Sequence, residues 1–271
     1  MSYLREEIKT LWQGQDPLDA AFALEGEVFR DVPGRRTLRV VLGGKAYFVK
    51  LHYGVGWSEV IKNWLQFKWP VIGATNEYEA CRALFEEQIA APRPAAFAVS
   101  SGSIAARRSF VLCDELAGYT SLEDLTDDWT QQPPSPITRQ RYLYAVARFA
   151  RKFHQAGFIH RDFYICHLLA DDKALSRGDV SLAVLDLHRA RRFAQVPRRW
   201  LKRDLAALLF SRLDLGFSQR DWLRFIALYS DKPLRDELRE NASLWRAVRA
   251  RADKLYSEGL RKGTVKGYYK Q

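Results

Sequence analysis

Only three cysteines, Cys81, Cys113 and Cys166, occur in the 271 residues. They are widely spaced and contain no C-x-x-C pair, which argues against a disulfide framework or a zinc site and fits a reducing compartment. No apolar run approaches the roughly 20 residues needed to span a bilayer. The leading Met1-Ser2-Tyr3-Leu4-Arg5-Glu6-Glu7 also lacks the apolar stretch of a secretory signal, so a cytoplasmic location is expected. Low-complexity tracts and internal repeats are missing, as are RNA-binding motifs and stacked aromatic repeats, so nucleic acid is not an expected partner. Acidic residues are in deficit, with 32 Asp and Glu against 43 Lys and Arg and a net charge of +11. That imbalance calls for an anionic partner, such as an acidic membrane surface, a phosphorylated glycolipid or an acidic protein.

What is present reads first as an ordinary globular chain, 47% hydrophobic and long enough for one large domain or two lobes. Residues 8–24 suggest a leading helix interrupted at Asp16-Pro17, where Asp caps and Pro opens a second helix. The period then changes. Glu27-Val28-Phe29-Arg30, Thr37–Leu42 and Ala46–Leu51 are rich in strand formers, and the turns Pro33-Gly34 and Gly43-Gly44 separate them into an antiparallel meander. Trp57, Val60, Ile61, Trp64, Leu65 and Trp69 recur at helical spacing, and a second helix begins near Thr75 with Tyr78, Cys81, Leu84 and Phe85 on one face. After a break at Pro92 and Pro94, Ile104 and Phe110–Cys113 suggest two further strands.

The remainder is mostly helical. Gln131–Pro136 reads as a surface linker, and Leu143, Val146, Ala147, Ala150, Phe153 and His154 share the face of a helix closed by Gly157. The expected fold class is therefore α+β, a two-lobed protein-kinase-like fold. Residues 1–113 would form a small lobe with a five-stranded antiparallel sheet and a helix, and residues 114–271 a larger helical lobe.

The chemistry concentrates in His160-Arg161-Asp162-Phe163-Tyr164-Ile165-Cys166-His167 and, downstream, Leu185-Asp186-Leu187-His188. Phosphoryl transfer needs one carboxylate to orient the attacking hydroxyl and another to hold the magnesium that bridges the phosphates. Asp162, after His-Arg, is the candidate for the first role. Asp186, at the end of an apolar strand, is the candidate Mg²⁺ ligand. The Asp-Phe-Gly of protein kinases is replaced by Asp186-Leu187-His188, and His167 stands where a protein kinase has asparagine. Imidazole is a poor ligand for Mg²⁺. His167 therefore either binds a second metal such as Mn²⁺ or donates a hydrogen bond to the phosphate or to Asp162, and ligand hardness favours the second.

Lys50 shares a strand face with Phe48 and would meet nucleotide phosphates, braced by Glu77 or Glu79. Glu77 is preferred because it adjoins the buried side of its helix. The glycine-rich cover is weak, with Asp31–Arg36 carrying one glycine, and Arg35 and Arg36 are the substitute phosphate donors. Asp204 is expected to start a helix and to anchor the catalytic loop backbone. From Arg189 to Arg203 the chain carries seven cations and no acid. Arg189, Arg191, Arg192, Arg198 and Arg199 are the candidates for an anionic acceptor.

These residues resemble the lipopolysaccharide core heptose(I) kinases of Gram-negative bacteria. The likeness rests on His160–His167, with Tyr164-Ile165-Cys166-His167 as its specific part, on Leu185–Ala190 and on Lys202-Arg203-Asp204-Leu205-Ala206-Ala207-Leu208. It extends upstream to Gly34–Arg39, Tyr47–Lys50 and Gly54–Glu59, and so covers nearly the whole chain. The resemblance implies transfer of the γ-phosphoryl group of ATP, with Mg²⁺, to a heptose hydroxyl of the inner core at the cytoplasmic side of the inner membrane. Asp162 matches the catalytic position, and Asp186 and Lys50 the metal and nucleotide positions. Phe163 departs from an expected cysteine and should point into the core. The Trp-rich segment 57–69 would either lie against lipid or pack on the small lobe. A protein acceptor, or a basic binding module without activity, are the competing readings.

Overall fold

The computed structural model of the protein describes residues 1–54, 73–101 and 107–265. The Trp-rich segment 57–69 and Ile104 lie outside them. The chain divides into two compact units. One comprises Met1–Ala117 with Asp186–Arg189, the other Gly118–Leu185 with Ala190–Gln271. Sequence reading divides the chain after Cys113. The contacts divide it after Ala117, because Arg5 and Lys45 hold Asp114, and Arg39 holds Glu115, to the first unit.

The first unit is built on six antiparallel strands: β1 (Ser2–Leu4), β2 (Glu27–Val32), β3 (Arg35–Leu42), β4 (Lys45–His52), β5 (Pro94–Val99) and β6 (Ser109–Asp114), in the order β1-β5-β6-β4-β3-β2. Two of these differ from expectation. β1 is three residues long and exists through its pairing with β5, so no alternation announces it. β5 begins on Pro94, where proline is tolerated at a strand's first residue. All of β5 up to Ala98 is buried, and a strand covered on both faces shows no period of two.

The sheet's two faces bury different things. On one, α1 (Glu6–Leu11) and α2 (Pro17–Phe22) cover Leu38, Val40, Tyr47, Val49, Leu51, Phe110 and Leu112. The Asp16 carboxylate caps α2 by accepting from the Leu18 and Asp19 amides. On the other face lies α3 (Thr75–Glu86), with Glu77, Tyr78, Ala80, Cys81 and Leu84 buried. Phe48 and Lys50 do share a face. It is the one opposite Tyr47, Val49 and Leu51, so Phe48 is half-buried against Phe29 rather than part of the α1/α2 core. Register completes the placement. Thr37, Lys50, Val111 and Phe97 lie in one row across β3, β4, β6 and β5, and Phe97 stacks on Tyr78 of α3 at 4.3 Å.

The second unit is mostly helical. It contains β7 (Tyr119–Ser121), α4 (Leu122–Thr126), α5 (Pro136–Gln155), β8 (Phe158–Ile159), β9 (Leu168–Asp171), α6 (Asp172–Ser176), β10 (Leu182–Val184) and β11 (Arg191–Arg192). Three helices follow: α7 (Arg198–Ser211), α8 (Gln219–Ser230) and α9 (Leu234–Lys262). Strands β10, β9 and β7 form a small sheet, and β8 pairs with β11. Pro136 belongs to α5 as its first residue, with Ser135 accepting the Thr138 amide as N-cap. Leu143, Ala147, Ala150, Phe153 and His154 form the buried stripe. Gly157 follows with φ +87°, and a Cβ there would stand 2.1 Å from the Phe193 carbonyl oxygen. Glycine thus permits both the left-handed turn and the β8–β11 pairing that leads into His160.

Phe97→Ala removes a fully buried ring from the α3 face. It should cost about 3–5 kcal/mol, read as a lower midpoint in chemical denaturation. An unchanged midpoint would show that the Phe97–Tyr78 stack does not hold α3 to the sheet.

Candidate active site

The sequence candidates fall into two groups, one in each unit. In the first unit, β4 and α3 bring Lys50 Nζ to 2.6 Å from Glu77 Oε1, and Asp186 Oδ1 lies 3.1 Å from the same ammonium. Glu77 is the brace. Glu79 is exposed on the far side of the helix. Burial by itself would depress the lysine pKa, but the carboxylates of Glu77 and Asp186 more than offset it and hold the group above its ordinary value. Asp186 shows the converse. Burial disfavours its ionised form, while hydrogen bonds and charge from His188 and Lys50 keep it well below the usual carboxylate range.

Asp186 adopts φ +58°, a left-handed conformation that non-glycine residues seldom take. The turn that follows, Leu187–Arg189, is held in place. His188 donates its Nδ1–H to Asp186 Oδ1 at 2.8 Å, and Asn76 of α3 donates to the His188 carbonyl at 2.9 Å. Sequence reading assigned neither residue. His188 follows Asp186 by two positions, where protein kinases have glycine, and that departure was the available signal. His52, at the end of β4, is buried. Burial first, then the cations of Arg35 and Lys50, push its pKa down to about 3 and keep it neutral.

In the second unit the His160–His167 loop is fixed from several directions. Asp204, fully buried in the middle of α7, accepts the backbone N–H groups of His160 and Arg161 at 2.6 and 2.8 Å. It anchors the loop as expected, although its helix begins six residues earlier, at Arg198. His160 donates Nε2–H to the Leu185 carbonyl at 2.7 Å, and His167 donates Nδ1–H to the Asp162 carbonyl at 2.7 Å. The His167 imidazole thus clamps the backbone of the residue whose carboxylate is proposed to react. Arg203 donates Nε–H to the Arg161 carbonyl at 3.0 Å, and its Nη2 lies 3.8 Å from Asp162 Oδ1. Phe163 is buried, stacked on Phe153 and His160. Asp162 keeps 23% of its side-chain surface exposed.

The phosphate-cover candidates sit on a minimal turn. Val32 pairs with Arg35, which leaves only Pro33 and Gly34 between β2 and β3, and proline has no N–H to offer. Arg35 and Arg36 open β3, and Arg36 Nε lies 3.5 Å from Asp31. The five acceptor candidates separate. Arg189 ends the turn after Asp186 in the first unit. Arg191 and Arg192 form β11, and Arg192 donates to the Ala156 carbonyl at the end of α5. Arg198 reaches Asn241 at 3.4 Å, and Arg199 lies over Trp200.

No group of three or more His, Cys, Asp or Glu that could hold a metal occurs among the described residues. Mg²⁺ does not require one. It keeps waters and phosphate oxygens and takes one or two carboxylates, and the hard oxygen of Asp186 fits that demand.

Residues 19–229 match the lipopolysaccharide kinase (Kdo/WaaP) family. The chain belongs to that family. This Kdo/WaaP kinase is 45% identical, over 97% of its own length and 98% of the relative's, to a protein named lipopolysaccharide core heptose(I) kinase WaaP from Pseudomonas aeruginosa. It is 39% identical to the protein of the same name from Escherichia coli K12, over 97% of this chain and 100% of that one. A solved structure of WaaP in complex with acyl carrier protein superimposes with a TM-score of 0.81 at 40% identity, covering 94% of this chain and 99% of that one. The kinase-like α+β fold is thereby established, with six strands in the sheet among the described residues where five are expected.

Because Asp186 ionises more readily folded than unfolded, the unfolded chain binds more protons below about pH 4. Stability from this carboxylate is present above that value and lost as the pH falls. The margin of the native protein over Asp186→Asn, measured by thermal unfolding from about pH 3 to 7, should therefore be full near neutrality and shrink towards acid. A margin independent of pH would remove the ion pair from the account.

Proposed function

We propose that this kinase transfers the γ-phosphoryl group of ATP to a hydroxyl of heptose I in the lipopolysaccharide inner core. The observation that carries the phosphotransfer is Lys50, held cationic between Glu77 and Asp186. The acceptor follows from the relatives, each named a core heptose(I) kinase and matched along nearly the whole chain.

Each residue then has a task. An ammonium carries three donors. Glu77 and Asp186 take two from Lys50, and the third is offered to the α- and β-phosphates. Arg35 and Arg36 supplement a turn whose backbone gives little. Asp186 is the proposed magnesium ligand, oriented by His188. The Asp186 carboxylate would hold Mg²⁺, which when bound would supply positive charge to offset that developing on the phosphate. Asp162 orients the sugar hydroxyl and accepts its proton late in the transfer. His167 positions Asp162 through the backbone, a role that suits imidazole better than ligation of Mg²⁺.

The charge of +11 supports two further parts of the reading. One is a peripheral stay at the inner membrane surface, where the glycolipid lies. No helix among the described residues is long and apolar enough to cross a membrane. The other is an acidic protein partner, supported by the solved WaaP complex with acyl carrier protein.

Purified enzyme with ATP, Mg²⁺ and dephosphorylated core lipopolysaccharide should yield phosphorylated core oligosaccharide by mass spectrometry. Asp162→Ala should lower the rate by roughly 10²–10⁴-fold. Undiminished activity in that variant would overturn the mechanism, and phosphate appearing on protein in preference to glycolipid would overturn the acceptor.

A further inference from the structure

The arginines around Asp162 are not spread as a solvated basic face would be. Three guanidinium groups converge on one indole. Arg161, Arg199 and Arg203 lie 5.0, 5.6 and 5.9 Å from the centre of the Trp200 ring. Two of the three are tethered. Arg161 sits at φ +75° with its amide bound to Asp204, and Arg203 Nε is bonded to the Arg161 carbonyl. These bonds fix the Arg161 backbone and the Arg203 guanidinium beside the ring. Cation–π stacking holds the three guanidinium groups on one ring, and such a group of donors suits an oxyanion.

Location gives such an anion a purpose. Arg203 Nη2 is 3.8 Å from Asp162 Oδ1, so the cluster begins beside the carboxylate that orients the acceptor hydroxyl. It also draws on residues far apart in sequence: one from the catalytic loop and three from the first two turns of α7.

We propose that Arg161, Arg199 and Arg203, arrayed on Trp200, form a subsite for an oxyanion carried by the acceptor itself. A sugar carboxylate and a phosphate ester share the required chemistry. Engaging that anion presents the neighbouring hydroxyl to Asp162, and selects acidic acceptors over neutral sugars of the same shape. The inference rests on the glycolipid acceptor proposed above and adds what that acceptor must carry.

Arg199→Glu tests it without threatening the fold. Arg199 is exposed in the first turn of α7, where an acid suits the helix dipole better than a cation, so the variant should melt no lower than the native protein. Kinetics are measured with three acceptors: the core glycolipid, its carboxylate methyl ester and a form stripped of phosphate esters. Arg199→Glu should raise the KM for the intact acceptor roughly 10- to 100-fold while the KM for ATP stays unchanged. The native enzyme should show a matching rise with whichever modified acceptor has lost the recognised group, and Arg199→Glu should add little to it there. An acceptor KM unaltered by Arg199→Glu, or equal use of all three acceptors, would overturn the subsite alone. If the native enzyme phosphorylates no core glycolipid, the proposed function falls and the subsite with it.

Discussion

An ammonium placed on the face of a sheet beneath a helix must be neutralised, and much of the first unit is arranged around that demand. Lys50 reaches its position by register: it lies beside Val111 and in one row with Phe97, whose ring holds α3 through Tyr78. That packing sets the rotation of α3, and the rotation delivers Glu77 to Lys50 and Asn76 to the turn after Asp186. The turn in turn returns Asp186 to the ammonium, closing a circuit of charge and hydrogen bonds. Removing Lys50 would leave the buried Glu77 carboxylate without its cation, which costs more than the lost contact.

A similar logic governs the catalytic loop. Two backbone N–H groups would be left without partners by the turn at His160 and Arg161, and the buried Asp204 carboxylate satisfies both. Two histidines then occupy positions where kinases have other residues. His167 spends Nδ1–H on the Asp162 carbonyl, and His188 spends Nδ1–H on the Asp186 carboxylate. Each imidazole orients a candidate reacting aspartate, one through its backbone and one through its carboxylate. The departures from the protein-kinase pattern are thus changes in what supports the two candidate carboxylates.

The basic segment 189–203 shows why charge in a sequence is hard to read. Its seven cations look equivalent in one dimension. In the fold, Arg192 donates to the Ala156 carbonyl at the end of α5, Arg198 reaches α9, and Arg199 joins Arg161 and Arg203 on one ring. The membership of Arg161 was invisible beforehand, because it lies 38 residues upstream of Arg199 by sequence number.

Local pattern was enough for the meander β2–β4, for the stripe of α5 and for Glu77 over Glu79, because period and burial are properties of neighbours along the chain. The spacing of Asp162, His167, Asp186 and Asp204 likewise marked the candidates, and the resemblance supplied the acceptor class. Elements that exist through distant partners escaped. β1 needs β5 to be a strand, and β5, buried on both faces, carries no alternation. Alternation put Phe48 and Lys50 on one face, but which face was the core depended on where α1 and α2 docked. His188 and Arg203 acquired roles only when a left-handed turn and a helix brought them to Asp186 and Asp162. The chain's own pattern nominated the candidate residues, since carboxylate, ammonium and imidazole chemistry travels with the side chain. Tertiary structure decided which of them support one another, since hydrogen bonds and charge pairing depend on distances of about 3 Å that no linear spacing specifies.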